Sequence, residues 1–412
     1  MRFFFYSHDG MGLGHVRRQI AIAAALREVV PDAQVLLATS VDEVASLGLP
    51  PNVDTLKLPG LRKTANAEYS SRRLGIPKAQ MRKLRSAVLR EAVKAFDPDV
   101  ILVDKHPFGA GGELEPALRA AKAAGAHLVL GLRDILDDPA AVKKEWEREL
   151  VQGRLCEYFD LVLIYGLRNI FDPIRAYELS AAVAARAKYC GYVVNQAECT
   201  RCSGGCLHLD FLPSMAQPKV LCTVGGGEDG FGLVKTFAQA CADAGWNGIA
   251  ITGPMLPDQE LRTLRKIADD SGVTLQSFVA CLSRHFDAVN AIVCMGGYNT
   301  LLEALCKGVP TVCVPRISPR SEQLMRALAF EKLGLLRVIS PDQLTPAVLK
   351  NEISAALEMK RTELLERSNE ILSFDGAHIA ARHILALLAG RRRFRDHSDE
   401  AHEPAPSIAA FR

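Results

Sequence analysis

Two apolar patterns alternate along this chain. Unbroken apolar runs such as "RFFFYS" (2–7), "AQVLLATS" (33–40), "PDVILVDK" (98–105), "AHLVLGLRD" (126–134) and "FDLVLIYG" (159–166) are separated by stretches with apolar residues at helical spacing, the first from Val16 to Val30. A strand covered on both faces needs apolar residues at every position, and the helices between such strands supply the covers. The pattern therefore predicts an α/β protein with parallel sheets. It restarts at Pro218 with "PKVLCTVGGGEDGFGLVKTFAQAC" and continues through "GIAITG", "VTLQSFV", "AIVCMGG" and "PTVCVPR". The expected organisation is two Rossmann-like, doubly wound domains, 1–193 and 218–390. A linker rich in Cys, Gly, Ser and Pro spans 194–217, and a charged, mobile tail covers 391–412.

Composition narrows this picture only slightly. The 412 residues are 49% hydrophobic, enough for two packed cores, and the formal net charge of +3 is too small to argue for a nucleic-acid partner. No apolar run reaches the ~18 residues of a membrane-spanning helix. Eleven cysteines spread through strands and helices suit a reducing cytoplasm better than a disulfide framework, so a cytoplasmic location is expected.

The chemistry-bearing residues gather where strands give way to helices. "HDGMGLGHVRRQ" places Gly12, Gly14, His15 and Arg17 at the first such junction. G-x-G-x-x-G would require glycine where Arg17 stands, which argues against a nicotinamide or flavin site. The second junction, Gly225, Gly226 and Gly227, allows backbone amides to approach a phosphate, with Glu228 and Asp229 turned away, capping the helix or taking sugar hydroxyls. At the third, Gly296-Gly297 precede Asn299-Thr300, which open a helix whose free N–H groups suit a diphosphate, with Glu303 on that helix within reach of a ribose. Glu322-Gln323 pair a carboxylate with a carboxamide, a combination fitted to adjacent sugar hydroxyls. Asp104 and His106 end another strand, as alternative bases, acceptor ligands or structural groups. Arg133 and Asp134 end the next, either recognising an acceptor or closing a salt bridge that fixes their loop, and Asp134 joins His15 and Asp104 in the expected catalytic set.

In this order the motifs resemble the family 28, MurG-like group of GT-B glycosyltransferases, over most of the span from Met1 to about Leu388. The resemblance is carried by Gly296-Gly297, Glu303, "GVP" at 308–310 and Glu322-Gln323, with "GLGH" (12–15) on the acceptor side. "SFV" (277–279) resembles the segment whose backbone reads a uracil, which adds Phe278 and Val279 to the donor set, while "GLRDILDD" and "GYNT" look like a branch of predicted bacterial glycosyltransferases. The resemblance implies a GT-B fold in which two domains face across a cleft. It implies an inverting, metal-independent transfer from a UDP-sugar to a small or lipid-linked acceptor hydroxyl, with His15 as general base and no cofactor. "GGGEDG" departs from the group's more neutral loop by its two carboxylates. Two rival readings are a UDP-sugar 2-epimerase-like enzyme of the same fold and a non-catalytic nucleotide-sugar-binding protein.

Two further features remain. Lys57 to Lys94 holds eleven Lys and Arg against Glu68 and Glu91; this is read as a solvated face, a contact for an anionic soluble acceptor, or an anionic membrane surface that the chain meets peripherally. Its lack of interleaved aromatics beyond Tyr69 argues against nucleic acid. Cys199, Cys202, Cys206 and His208 could hold a structural zinc, although their spacing is not a standard one, and ordinary linker thiols are the favoured reading.

Overall fold

The computed structural model describes residues 1–7, 13–63, 69–148, 151–195, 217–279 and 282–400. Gly12 and the Cys199, Cys202, Cys206 and His208 group lie outside them. Among the described residues the first sheet has seven parallel strands. From edge to edge they are Val53–Lys57, Gln34–Thr39, Arg2–Tyr6, Val100–Asp104, His127–Arg133, Leu161–Tyr165 and Ala187–Tyr189. The second has six, in the order Thr274–Gln276, Asn247–Ile251, Lys219–Thr223, Ala291–Cys294, Thr311–Cys313 and Arg337–Val338. Both sheets are doubly wound: the chain works outward on one side of its first strand, then returns to build the other side.

The unbroken runs behave as their pattern requires. Phe3 and Phe5 pack with Val16, Ile20 and Leu102 on one face, while Phe4 and Tyr6 pack with Leu89, Val93 and Ile101 on the other, and all four aromatics are fully buried. One apolar cluster continues from the first domain into the second, joining Ile20 and Val35 to Leu221, Ile292 and Leu301. The final helix, Gly376–Glu400, packs on the helix Gly14–Val29 through Ala377, Ala380, Ala381 and Ile384. By packing it therefore sides with the first domain, and it runs on into the stretch expected as a tail. The two chain crossings meet as well, since Tyr192 N–H donates to the Ser373 carbonyl at 2.7 Å and Gly376 N–H to the Tyr192 carbonyl at 3.1 Å.

The basic stretch is only partly a surface feature. Arg62, Arg73, Lys78, Arg82, Lys83, Arg90 and Lys94 are exposed, as are the neighbouring Leu74 and Leu84. Arg85 instead turns inward and donates through Nε (2.6 Å) and Nη2 (2.5 Å) to the buried Glu113, which also accepts from the Tyr6 hydroxyl at 2.7 Å.

Candidate active site

A doubly wound sheet opens a crevice at the carboxyl ends of the two strands where its winding reverses. Those strands are Arg2–Tyr6 and Val100–Asp104 in the first domain, Lys219–Thr223 and Ala291–Cys294 in the second. The two crevices face each other and merge into one cleft of about 320 Å³. Four helices begin at or just behind its walls, at Gly14, Phe231, Tyr298 and Glu322, the second of them two residues beyond the lining Asp229. Their N-cap residues Leu13, Gly230, Gly297 and Ser321 make no side-chain cap, so the first-turn N–H groups and the positive dipole ends are directed at whatever anion enters. The first and third of these helix starts touch: Asn299 Nδ2 donates to the Gly14 carbonyl at 3.2 Å.

His15 lies in the first turn of its helix, with its side chain 14% exposed to the cleft. Its Nδ1 is 3.2 Å from Asp104 Oδ2, and the fully buried Asp104 also accepts from Arg18 Nη2 at 2.7 and 3.1 Å. With the proton on Nδ1, the ring and Arg18 are two donors sharing one carboxylate, and the 3.1 Å between Nδ1 and Arg18 Nη2 is the spacing of those donors. The opposite tautomer would set a lone pair against Asp104. The carboxylate therefore selects Nδ1–H and leaves Nε2 as the basic nitrogen. Burial lowers the His15 pKa below its ordinary value, and Asp104 offsets part of that fall. For Asp104 burial acts upward, but Arg18 and His15 together outweigh it and hold the carboxyl at about 2. Arg18 is clamped between the Tyr165 and Tyr298 rings, 5.3 and 5.1 Å from their centroids. Asp104 is thus a positioning group behind His15, not an alternative base open to the cleft.

Most of the donor residues expected from the sequence line this cleft: Gly225, Gly226, Gly227, Phe278, Val279, Gly297, Asn299, Thr300, Glu322 and Gln323. Gly14, Arg17, His106 and Arg133 line its other side. Gly296 and Glu303 do not reach the surface of the cleft. Gly296 takes a left-handed φ of 81° with Cys313 Sγ 2.9 Å from where a Cβ would stand, and Glu303 is buried behind Arg17. Gly227 is needed for packing as well as for any phosphate, because its φ is 96° and a Cβ would meet the Thr252 carbonyl at 2.2 Å. Gly225, at φ 66°, has open space where a Cβ would stand. Asp229 turns to Arg316 at 3.1 Å, and the Arg316 backbone N–H donates to Gln323 Oε1 at 3.1 Å.

Arg133 and Asp134 do not pair with each other. Arg133 reaches across the cleft to Glu322 (2.5 Å), while Asp134, fully buried, lies 3.6 Å from Arg326 and does not line the cleft. Burial would raise the Glu322 pKa, but Arg133, Lys105, Arg326 and Arg316 bring it to about 2. Sequence reasoning passed over Arg18, Lys105, Tyr298, Arg316 and Arg320, all of which line the cleft. Arg18 was within reach of it, since the residue three after His15 shares its helix face. Arg320, which pairs with Asp137 and Glu145, carried no such signal.

The profile of the glycosyltransferase family 28 C-terminal domain matches residues 222–382. The chain has the GT-B fold, and its C-terminal segment resembles the family 28 domain. Among curated relatives, a UDP-N-acetylglucosamine--N-acetylmuramyl-(pentapeptide) pyrophosphoryl-undecaprenol N-acetylglucosamine transferase of Mycobacterium ulcerans is 25% identical over 34% of this chain and 36% of the relative. An uncharacterized glycosyltransferase of Methanosarcina mazei is 27% identical over 43% of this chain and 46% of its own length. The chain thus spans about two fifths of the length of the curated relatives it matches. In three dimensions it is similar to the calicheamicin glycosyltransferase CalG4, with a TM-score of 0.60 and 17% identity over 94% of this chain and 98% of that one. It is also similar to Acinetobacter baumannii MurG, with a TM-score of 0.57 and 14% identity over 93% and 99%. At these identities the structural likeness establishes the GT-B fold.

Proposed function

We propose that this protein transfers a sugar from a nucleotide-activated donor, of the UDP-sugar type, to an acceptor hydroxyl, with inversion and without a resident metal ion. One observation carries the reading: an imidazole pinned at Nδ1 by a buried carboxylate stands across a cleft from the uncapped helix start at Tyr298. His15 Nε2 takes the acceptor proton as the acceptor oxygen attacks the anomeric carbon, and base catalysis of this kind contributes ~100- to 10,000-fold. The bond to the diphosphate breaks with its electrons on the leaving oxygen. That charge is met by first-turn amides at Asn299-Thr300 and by the cations lining the cleft. Phe278 and Val279 stand where the base would lie, and Gln323, oriented by Arg316, offers its amide to the sugar.

The acceptor enters from the side of Lys105, His106 and Arg133. No helix among the described residues is long and apolar enough to cross a membrane. A lipid-linked acceptor would therefore be met peripherally, with Leu74 and Leu84 among exposed cations contacting an anionic cytoplasmic surface; co-sedimentation with anionic vesicles tests this. The central reading is tested by titrating the protein with UDP-, dTDP- and GDP-sugars and following donor hydrolysis with and without EDTA. Binding of one class, with turnover that survives EDTA, is expected. Failure to bind any of them refutes the proposal, and release of a rearranged sugar from donor alone would replace transfer by epimerisation.

A further inference from the structure

The first turn of the helix Gly14–Val29 holds no acidic residue and ends on Arg17, and Arg18 follows it. Cations at the positive end of a helix dipole are unfavourable, by ~0.3–1 kcal/mol each. Arg18 is compensated by Asp104 at 2.7 Å. Arg17 finds its compensation in the other domain, where its Nη2 lies 2.6 Å from Glu303 Oε1. Glu303 is four residues after Asn299 and so shares its face of the helix Tyr298–Cys306. Its side chain is 4% exposed, and the 21%-exposed Arg17 stands between it and the cleft. Two positive helix ends and one guanidinium therefore converge on a point held by a single carboxylate, the same carboxylate that the sequence places within reach of a ribose.

We propose that Arg17 is a partner-exchanging residue: it covers Glu303 as seen in this structure, and it moves to the donor's diphosphate when ribose hydroxyls take Glu303 in its place. This rests on the nucleotide-sugar reading above. The exchange links the two halves of the donor. A ribose displaces the guanidinium, and the displaced guanidinium lies beside the uncapped amides where the phosphates arrive. When the anomeric C–O bond breaks with its electron pair on the diphosphate, and the acceptor proton passes to His15, Arg17 offsets the charge left on the leaving group.

The test separates the two halves of the ligand by calorimetry with uridine and UDP, or the nucleoside and nucleoside diphosphate whose base the sugar panel selects. In Arg17→Gln the competitor for Glu303 is gone, so the nucleoside should bind ~3- to 10-fold tighter. The gain in affinity from adding the diphosphate should shrink ~10-fold or more, and donor hydrolysis at saturation should fall ~100-fold. Arg17→Lys keeps a cation and should hold the diphosphate gain within ~3-fold of wild type, which guards against a folding defect in the first variant; melting curves check both. A nucleoside that binds Arg17→Gln no better than wild type, or an unchanged ratio of nucleoside to nucleoside-diphosphate affinity, overturns the exchange. If the wild type binds no nucleoside diphosphate better than inorganic phosphate, the donor reading itself falls. That result is distinct from a wild type that binds normally and a variant that shows no split.

Discussion

Substituting Asp104 by Asn tests the central dyad, because it keeps the shape of the side chain and removes its charge. Two consequences follow from the geometry. Arg18, 1% exposed in its side chain and bonded to both Asp104 oxygens, is left as a buried cation without its counter-charge. Breaking a buried pair from one side costs about 3–5 kcal/mol, here reduced by the one hydrogen bond that the carboxamide oxygen still accepts. The second consequence concerns His15. Asp104 no longer selects Nδ1–H, and an amide N–H turned toward the ring favours the tautomer that presents Nε2–H to the cleft. A base in the wrong tautomer does not take a proton, and the loss expected is ~100- to 10,000-fold in the rate at saturating donor.

A loss of rate alone would not separate the chemistry from the destabilisation, so the assay is a pH–rate profile scaled to the folded fraction, read well below the melting temperature. Neutral His15 is the active form, so the rate rises with pH through its pKa. Burial sets that pKa below the ordinary 6.5, and Asp104 pulls it partly back up. Removing the carboxylate therefore moves the acid limb to still lower pH while the plateau drops. An acid limb that stays in place, with a plateau within threefold of wild type, would refute the assignment of His15 as a base oriented by Asp104. An acid limb that moves upward would refute the electrostatic argument.

Three other expectations follow. Gly227→Ala forces a φ of 96° on alanine and sets its Cβ 2.2 Å from the Thr252 carbonyl, whereas Gly225→Ala meets only the strain of φ 66°; the first should cost more than the ~1 kcal/mol expected of the second, and melting temperatures in the reverse order would contradict the loop packing. Asp104 and Glu322 have folded pKa values near 2, below their unfolded values, so each adds about 2–3 kcal/mol of stability that is complete above pH ~4.5 and is lost as pH falls toward 2. Acid-unfolding curves should show this, with a shallower loss in Glu322→Gln. That variant should also be less stable at neutral pH by about 3–5 kcal/mol, since Arg133 is left buried without its partner; neutral-pH denaturant titration giving less than 1 kcal/mol would count against a buried, coupled pair.

The ten strands quoted from the sequence as apolar runs are present, nine of them because a strand covered on both faces is apolar through its middle, a condition visible in one dimension; the tenth, Thr274–Gln276, is a half-buried edge. The strands that were not legible are edges or satellites. Val53–Lys57 pairs on one side only and leaves Asp54 and Lys57 in solvent. Arg337–Val338 is two residues long, and the hairpin of Leu61–Lys63 and Tyr69–Ser71 lies inside a segment whose visible signal was charge. There the apolar pattern is diluted by solvent, and pairing decides the structure. The basic stretch misleads for a related reason: Arg85 is a residue type usually found at the surface, and its burial depends on Glu113, 28 positions further along the chain, and on the Pro59 carbonyl.

The same distinction governs the cleft. The glycine turns and His15 were legible because winding order sends every strand–helix junction near the reversal to one edge. The charge pairs were not, because each joins residues far apart in the chain, within one domain for Arg18 and Asp104, 86 positions apart, and across the two for Arg17 and Glu303, 286 positions apart. The salt bridge that stood as one alternative for Arg133 and Asp134 shows why adjacency misleads here. Successive side chains at a strand end point to opposite faces, so Arg133 is delivered to the cleft and to Glu322, and Asp134 to the buried side and to Arg326. One local pair thereby becomes two pairs across the interface. Glu322 and Glu303, the carboxylates best placed to take donor hydroxyls, are consequently both matched by arginines of the opposite domain. On the proposed donor reading, these two carboxylates meet the donor only with both domains in place, because the arginine paired with each is contributed from across the cleft.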